Sequence, residues 1–454
     1  MISKKIVVWL TAVVLLALSC SDADYLNAIP EDCTALVQVD VPKMAGGSQF
    51  SGRQNLLAGL LGVTDVKDCG ISLDAKLYLF ESSDGMLGLA AKVAGRDKVE
   101  DWLNALATKG KATQVVERRG FGFSVLNENW VAGFSGSALL VMGPVVGNAQ
   151  AGLIQQMANY LSQNADQGIC GTAMFAKLDS IGTSVAMVAQ AHALPEKFVA
   201  PFTLGAPADA DASQVLIAAK MEVADSCLNI RGETFSFNKR IDAALKKSQS
   251  IYRPIRGDYA QSMDARSTLG IFMNVKGADF LALLQQNKGL MALLTGINAA
   301  VDMDNILRSV DGDMAINVPV VGDKFDITMA AKLAHHTWLK DVDYWKRSCP
   351  SGGRILDTGP RQFCYTDGQT VFHFGVSADN QFFAGSTAQL AAGAIGKAPQ
   401  PLSQAVVSRI VGQKLVAVVS LASINNEAAQ AALTLLEPLF GKLNTIVYTI
   451  IIDN

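Results

Sequence analysis

The sequence predicts an α+β protein, built as two diverged tandem copies of an antiparallel sheet with helices packed on one face. Three observations predict it. The chain repeats itself at one offset, its short apolar runs are separated by Gly, Asn and Asp turns, and its helical stretches follow groups of strands instead of alternating with them.

The self-similarity comes first. Ala90-Ala91-Lys92-Val93-Ala94 recurs as Ala330-Ala331-Lys332-Leu333-Ala334, and the same shift of 240 pairs Phe123 with Phe363, Val131 with Val371 and Phe134 with Phe374. Nearby shifts pair Thr34 to Asp40 with Thr268 to Asn274, and Leu178 to Ile181 with Leu421 to Ile424. Each copy would open on a strand (Ala35 to Val41; Leu269 to Val275) and continue through two more (Lys76 to Phe80 and Gly85 to Val93; Met314 to Val320 and Phe325 to Leu333). A helix follows. In the first copy Asp97 is placed to cap it, with Val99, Trp102, Leu103 and Leu106 on one face; in the second, Thr337 is the cap and Trp338, Val342 and Trp345 form the face. A meander of short strands (Val115 to Met142; Ile355 to Phe383) leads to a further helix, then a strand (Ala173 to Leu178; Leu415 to Leu421) and a closing strand (Val215 to Val223; Thr445 to Ile452). The expected domains are a signal peptide at 1–20, a first copy at 21–237, a basic linker at 238–266 and a second copy at 267–454. The linker holds seven Lys or Arg against three Asp and includes an Arg256-Gly257-Asp258 tripeptide, read as an ordinary glycine turn.

Composition closes several doors. With 50% hydrophobic residues, 17% charged and a net charge of -3, the 454-residue chain is not disordered. Its 38 basic side chains against 41 acidic ones give no global field to hold nucleic acid.

The first segment reads as an address. Lys4 and Lys5 precede an apolar run from Ile6 to Leu18 that is shorter than the about 20 residues of a comfortable membrane span, and Ala17-Leu18-Ser19-Cys20 ends it in small residues. Cysteine at that point resembles a bacterial lipobox, which makes Cys20 the expected lipid anchor to a membrane. Ser21-Asp22-Ala23-Asp24 resembles the acidic tether that carries Bacteroidota lipoproteins to the cell surface, so the outer face of the outer membrane is preferred to the periplasmic one.

The chemistry inventory is mostly negative. Gly133-Phe134-Ser135-Gly136-Ser137 lacks the second glycine of a nucleophile elbow, and no phosphate loop or complete dinucleotide fingerprint occurs. His192, His335, His336 and His373 form no zinc signature, and the acidic clusters Asp302 to Asn305, Asp311-Gly312-Asp313 and Asp209-Ala210-Asp211 read as turns, not calcium loops. No catalytic residue, metal ligand or cofactor is nominated. Beyond Cys20 there are six cysteines; Cys349 and Cys364 flank a loop with Pro350, Gly352, Gly353 and Pro360 and are the candidate disulfide, with free buried thiols as the alternative. Asp179-Ser180-Ile181 resembles the O-glycosylation motif of Bacteroidota envelope proteins, making Ser180 a candidate glycosylation site.

The stretch Asp24-Tyr25-Leu26-Asn27-Ala28-Ile29-Pro30-Glu31-Asp32-Cys33, followed by a strand that ends in Asp40, resembles the opening of a Bacteroidota lipoprotein family, that of domain of unknown function 4836. Cys33 stands where alanine is more usual in that family. The resemblance implies an envelope lipoprotein and supplies no catalytic residues. The expected function is non-enzymatic binding of a glycan, a peptide or an envelope protein partner. The alternative is a secreted hydrolase of polysaccharide or peptide whose acidic residues carry no local signature.

Overall fold

The short apolar runs form strands because alternate residues on them find an apolar layer on each side. The computed structural model describes residues 23–45, 58, 61–193, 203–286, 300–319, 326–421 and 441–451. Two units are compact in themselves, Met1–Ala193 and Leu194–Asn454.

In the first unit, strands β1 (Ala35–Val39), β2 (Leu77–Glu81), β3 (Leu87–Lys92), β4 (Val116–Arg118), β5 (Phe121–Leu126), β6 (Trp130–Phe134), β7 (Ala138–Gly143) and β8 (Val185–Gln190) pair antiparallel throughout. The ladders run in the order β4-β5-β6-β7-β3-β2-β1-β8. The helix Arg96–Thr108 buries Val99, Trp102 and Leu103 against Ala91, Ala132, Phe134 and Leu139 of the sheet. The helix Gln150–Leu161 packs on β6 and β7 from the other side, where the Met157 side chain reaches Gly133.

In the second unit the strands are β9 (Leu216–Ala224), β10 (Cys227–Phe235), β11 (Leu269–Lys276), β12 (Val310–Val318), β13 (Thr328–Leu333), β14 (Arg354–Gly359), β15 (Gln362–Thr366), β16 (Val371–Val376), β17 (Gln381–Gly385), β18 (Leu415–Ser420) and β19 (Thr445–Ile450). Their order is β9-β10-β19-β18-β11-β12-β13-β17-β16-β15-β14, antiparallel except for the parallel pair β10 and β19.

The mixed α+β class is therefore observed, with ten α-helices among the described residues. The placement of the helices differs from expectation: they cover both faces of the sheet. Successive strand residues point to opposite sides, and in the second unit both sides are apolar. Met273, Met314, Ala331 and Phe382 join one cluster with Phe280, Ile306, Leu307, Trp338 and Trp345 from helices and turns. Their chain neighbours Phe272, Ala315, Ala330 and Phe383 join another with Ala391, Val406 and Ile410.

Four local expectations are corrected. Ala173 to Leu178 is helix, not strand: Thr172 accepts the N–H of Phe175 at 3.1 Å as its cap, and Met174 and Leu178 share the buried face. A short apolar run leaves that choice open, because period 2 and period 3.6 coincide over so few residues. The helix after β3 is capped by Gly95, with Asp97 in its first turn. Thr337 is the first residue of a 3-10 turn entered from His336. Asp311-Gly312-Asp313 is no turn but part of β12, where a register shift between Val310 and Met314 accommodates Gly312 at a φ of 145°. Apart from these four, the basic stretch 238–266 carries a helix, Lys239–Gln249, capped by Asn238, and its Ile255, Tyr259, Ala260 and Met263 are buried in the second unit's core.

Candidate binding pocket

The first described turn builds the site. Asp24–Ala28 forms a 3-10 helix whose Tyr25, Leu26 and Ala28 are buried, and the phenol of Tyr25 donates to the carbonyl of Lys76 at 2.8 Å. Burial, then the proximity of Cys170, pushes the Tyr25 phenol above its ordinary value, so it stays a neutral donor. Two backbone contacts lock the turn to the loop after the helix Gln150–Leu161. The N–H of Ile169 donates to Ile29 at 3.0 Å, and Pro30 bridges Gly168. Gly168 is required by this approach, since a Cβ there would lie 2.6 Å from the Cα of Asn27.

The turn, the end of that helix and the entry to β7 border a half-open pocket of about 470 Å³, lined by Asp24, Asn27, Ala28, Ser137, Ala138, Leu161, Gln163, Asn164 and Ala165. Its lining holds one carboxylate, three amides and a hydroxyl, against an aliphatic remainder with no basic side chain. Asn164 is held in place by its own loop: its Oδ1 accepts the N–H of Asp166 at 3.0 Å, and its N–H donates to Gln167 Oε1 at 3.3 Å. Ser137 is set by a tight turn in which Ser135 Oγ accepts the N–H groups of Ser137 and Ala138. Gln163 is the exception. Its Oε1 is closed off from solvent and has no hydrogen-bond partner among the described residues.

Arrangement and polarity suit recognition of a small polar molecule. Of the pair of carboxyl groups that most glycoside hydrolases use, this lining holds one, that of Asp24.

The residues singled out in the sequence lie elsewhere. Cys20 falls outside the described residues. Ser180 is exposed at the end of its helix, where its hydroxyl donates to Lys177 at 2.6 Å, and the neighbouring Asp179 pairs with Lys76 at 2.9 Å. Cys349 and Cys364 are free thiols, as are Cys33, Cys69 and Cys227. Cys364 alternates with Phe363 and Tyr365, whose side chains join the cluster that Cys349 packs against, so the two thiols face opposite sides of β15. Cys364 instead lies 3.7 Å from Nε2 of His373, its partner across the β15–β16 ladder. Trp102, Trp338 and Trp345 are core residues. Among the described residues, no three His, Cys, Asp or Glu side chains stand close enough together to hold a metal ion, and no helix is long and apolar enough to cross a membrane.

The pocket residues escape sequence reasoning because they are ordinary polar types spread from position 24 to 165. The one local signal is Asn27 and Asp24 within the Asp24 to Cys33 opening.

Comparisons with known proteins add little beyond family. No curated protein matches the sequence. A solved structure described as crystal form IV of TP0453 matches 38% of this chain at 10% identity with a TM-score of 0.20, too low to carry an argument about the fold. The match spans 66% of that chain, just under two thirds of its length. The family model of domain of unknown function 4836 matches residues 63–398, well over half of the sequence, and the chain belongs to that family.

Proposed function

We propose that the protein is a non-enzymatic lipoprotein, anchored through Cys20 in the outer membrane of a Bacteroidota cell and exposed on its surface, that binds a glycan, peptide or envelope protein partner. The observation that carries the binding reading is the pocket at Asp24, with its largely polar lining. The lipobox-like Ala17-Leu18-Ser19-Cys20 and the acidic Ser21 to Asp24 support the anchor and its outward address. Four residues from Cys20 to Asp24 extend at most about 14 Å, so an acylated chain would hold the pocket close to the membrane surface. Ser180, exposed beside an acidic residue, is accessible to an O-glycosylating enzyme.

We propose further that copies at 21–237 and 267–454, with 238–266 between them, arose by duplication. The strand order supports this. β4-β5-β6-β7-β3-β2-β1-β8 in the first unit has the same sequence of connections as β14-β15-β16-β17-β13-β12-β11-β18 in the second.

Protease shaving of intact cells tests the address, with Cys20→Ala as control. Digestion without lysis, together with loss of Cys20→Ala from the membrane fraction, is the expected result. Protection until the outer membrane is opened would remove the surface assignment, and membrane retention of Cys20→Ala would remove the anchor.

A further inference from the structure

The side of the first unit that carries the helix Gln150–Leu161 continues across the sheet onto the edge strand β4. Residues opposed in a ladder share a face, so Val116 and Arg118 point the same way as their partners Phe123 and Phe121. Phe123 meets Met157 of that helix over Gly133, which fixes the face as the helix side. Glu117 points to the other side, where Arg96 holds it at 3.0 Å. The helix itself has no charged residue, and Ala151, Gly152, Gln155 and Asn159 form its exposed side.

Two exposed arginines border this uncharged surface. Arg118 has no polar or charged partner among the described residues, and Arg119 reaches only the side chain of Asn159, at 3.4 Å. Arg119 and Gly120 make the two-residue turn of the β4–β5 hairpin, with Arg119 at a φ of 52°, where asparagine or glycine is the usual choice. Val116, 52% exposed, sets an apolar side chain beside them. Neither arginine lines the pocket. The surface also runs to the tether: Asn159 lies in the last turn of the helix, and Leu161, Gln163 and Asn164 meet Asp24 in the pocket lining. Four residues from Cys20 to Asp24 span at most about 14 Å, so a lipid on Cys20 brings headgroups to this end of the unit. Two unpaired guanidinium groups on an open, otherwise uncharged surface match a plane of phosphates, each of which a guanidinium can bind through two parallel N–H groups.

We propose that Val116, Arg118 and Arg119, with the outer side of the helix Gln150–Leu161, rest on anionic lipid headgroups and set the orientation of the anchored chain on its membrane. This rests on the anchor at Cys20 and adds what the neighbouring surface contacts. A basic side chain near an anionic membrane surface favours the bound state about fivefold, so the two arginines together favour the resting orientation by roughly 25-fold. That is too little to hold an unanchored chain and enough to orient an anchored one.

The test uses the full mature protein, extracted with detergent from the membranes of its own cells and reconstituted in vesicles of phosphatidylcholine alone or mixed equally with phosphatidylglycerol. Flotation and the mass of the Cys20 peptide report the anchor. Phenylglyoxal modification, read by peptide mapping, reports the arginines. Arg118 and Arg119 should react at least tenfold more slowly on the mixed vesicles, whereas Arg347, exposed in the second unit, should react alike on both. High salt should abolish the difference, and Arg118→Gln should cut the protection of Arg119 about fivefold. Equal rates on the two vesicles in a chain that is acylated and floats would overturn the proposal and leave the anchor standing. Protection on neutral vesicles by added dextran sulfate, without protection by phosphatidylglycerol, would assign the arginines to a soluble polyanion and overturn it as well. A chain that carries no lipid on Cys20 and does not float would remove both readings.

Discussion

The ring of Phe134 lies directly over Gly122, its partner across the β5–β6 ladder, so closely that a Cβ on Gly122 would fall 2.3 Å from Phe134 Cζ. The same relationship recurs at Phe80 and Gly88, at Phe123 and Gly133, and in the second unit at Phe383 and Gly375, each pair directly opposed in register. An aromatic ring laid across a strand glycine covers the backbone that the missing side chain exposes, and so offsets glycine's poor fit to a sheet. Gly122→Ala should therefore destabilise by about 1–3 kcal/mol, because the fully buried Phe134 must leave its rotamer. Gly136→Ala, whose new methyl would meet nothing within 4 Å, should stay within about 0.5 kcal/mol of the parent. Urea midpoints of the two variants decide it, and equal midpoints would show that the ring can move aside freely.

A second relationship explains the Arg256-Gly257-Asp258 turn. The carboxylate of Asp313, 2% exposed, accepts the backbone N–H groups of Arg256, Gly257 and Asp258, the shortest of them at 2.7 Å, and the side-chain amide of Asn274 at 2.8 Å. The charge is buried but answered by four donors. Asp313→Ala would leave those donors without an acceptor, and a single such group costs about 1–3 kcal/mol. The variant should lose at least that much in chemical denaturation, while Asp313→Asn, which keeps one acceptor oxygen, should lose less. An Ala variant as stable as the parent would mean that water replaces the carboxylate in that turn.

The sequence displays the architecture better than the site. Phe123, Val131 and Phe134 sit in strands because apolar alternation between Gly and Asn turns admits few other solutions, and the resemblance at a shift of 240 links strands of equivalent rank in the two units. Ala173 to Leu178 reads as a strand because six apolar-rich residues carry no decisive period, and its Thr172 cap is a single residue. Asp311-Gly312-Asp313 reads as a turn because a bulge within a strand uses the same residue types as a turn. Helices on both faces are illegible for a related reason: a strand buried on both sides loses its alternation. The pocket has no signature, since Asp24, Ser137 and Gln163 converge only through the docking of the first turn on the loop that contains Gly168.

Acid should reach the second unit through Asp264. Its carboxylate accepts the N–H of Arg266 at 3.0 Å and the guanidinium at 2.9 and 3.1 Å, and the N–H of Gln400 at 3.3 Å. The hydrogen bond from the Arg266 side chain, ahead of the burial that opposes it, holds this acid below the usual aspartate value. A depressed folded-state value means that the unfolded chain binds the proton first, so the contribution is complete above the ordinary aspartate value near pH 4 and is lost as pH falls below it. Asp264→Asn should be less stable than the parent at pH 7, with a difference that shrinks toward pH 2. Denaturation midpoints across that range check it; a constant difference would assign the loss to geometry instead of charge.

Cys33 should be chemically silent in the folded chain. It is 2% exposed, its Sγ lies 4.0 Å from Met174 Sδ, and burial, with the Asp32 carboxylate adding to it, pushes the thiol up to about 12. At pH 8 that leaves about one thiolate in ten thousand, and the thiolate is the reactive form. Burial also raises Cys349, but this residue is only half-buried, so alkylating reagent can reach it. Iodoacetamide at pH 8, followed by peptide mass spectrometry, should modify Cys349 well before Cys33, and unfolding in urea should bring the two to the same rate. Equal labelling without denaturant would place Cys33 in a segment that opens readily, and would undercut the docking of the first turn on which the pocket depends.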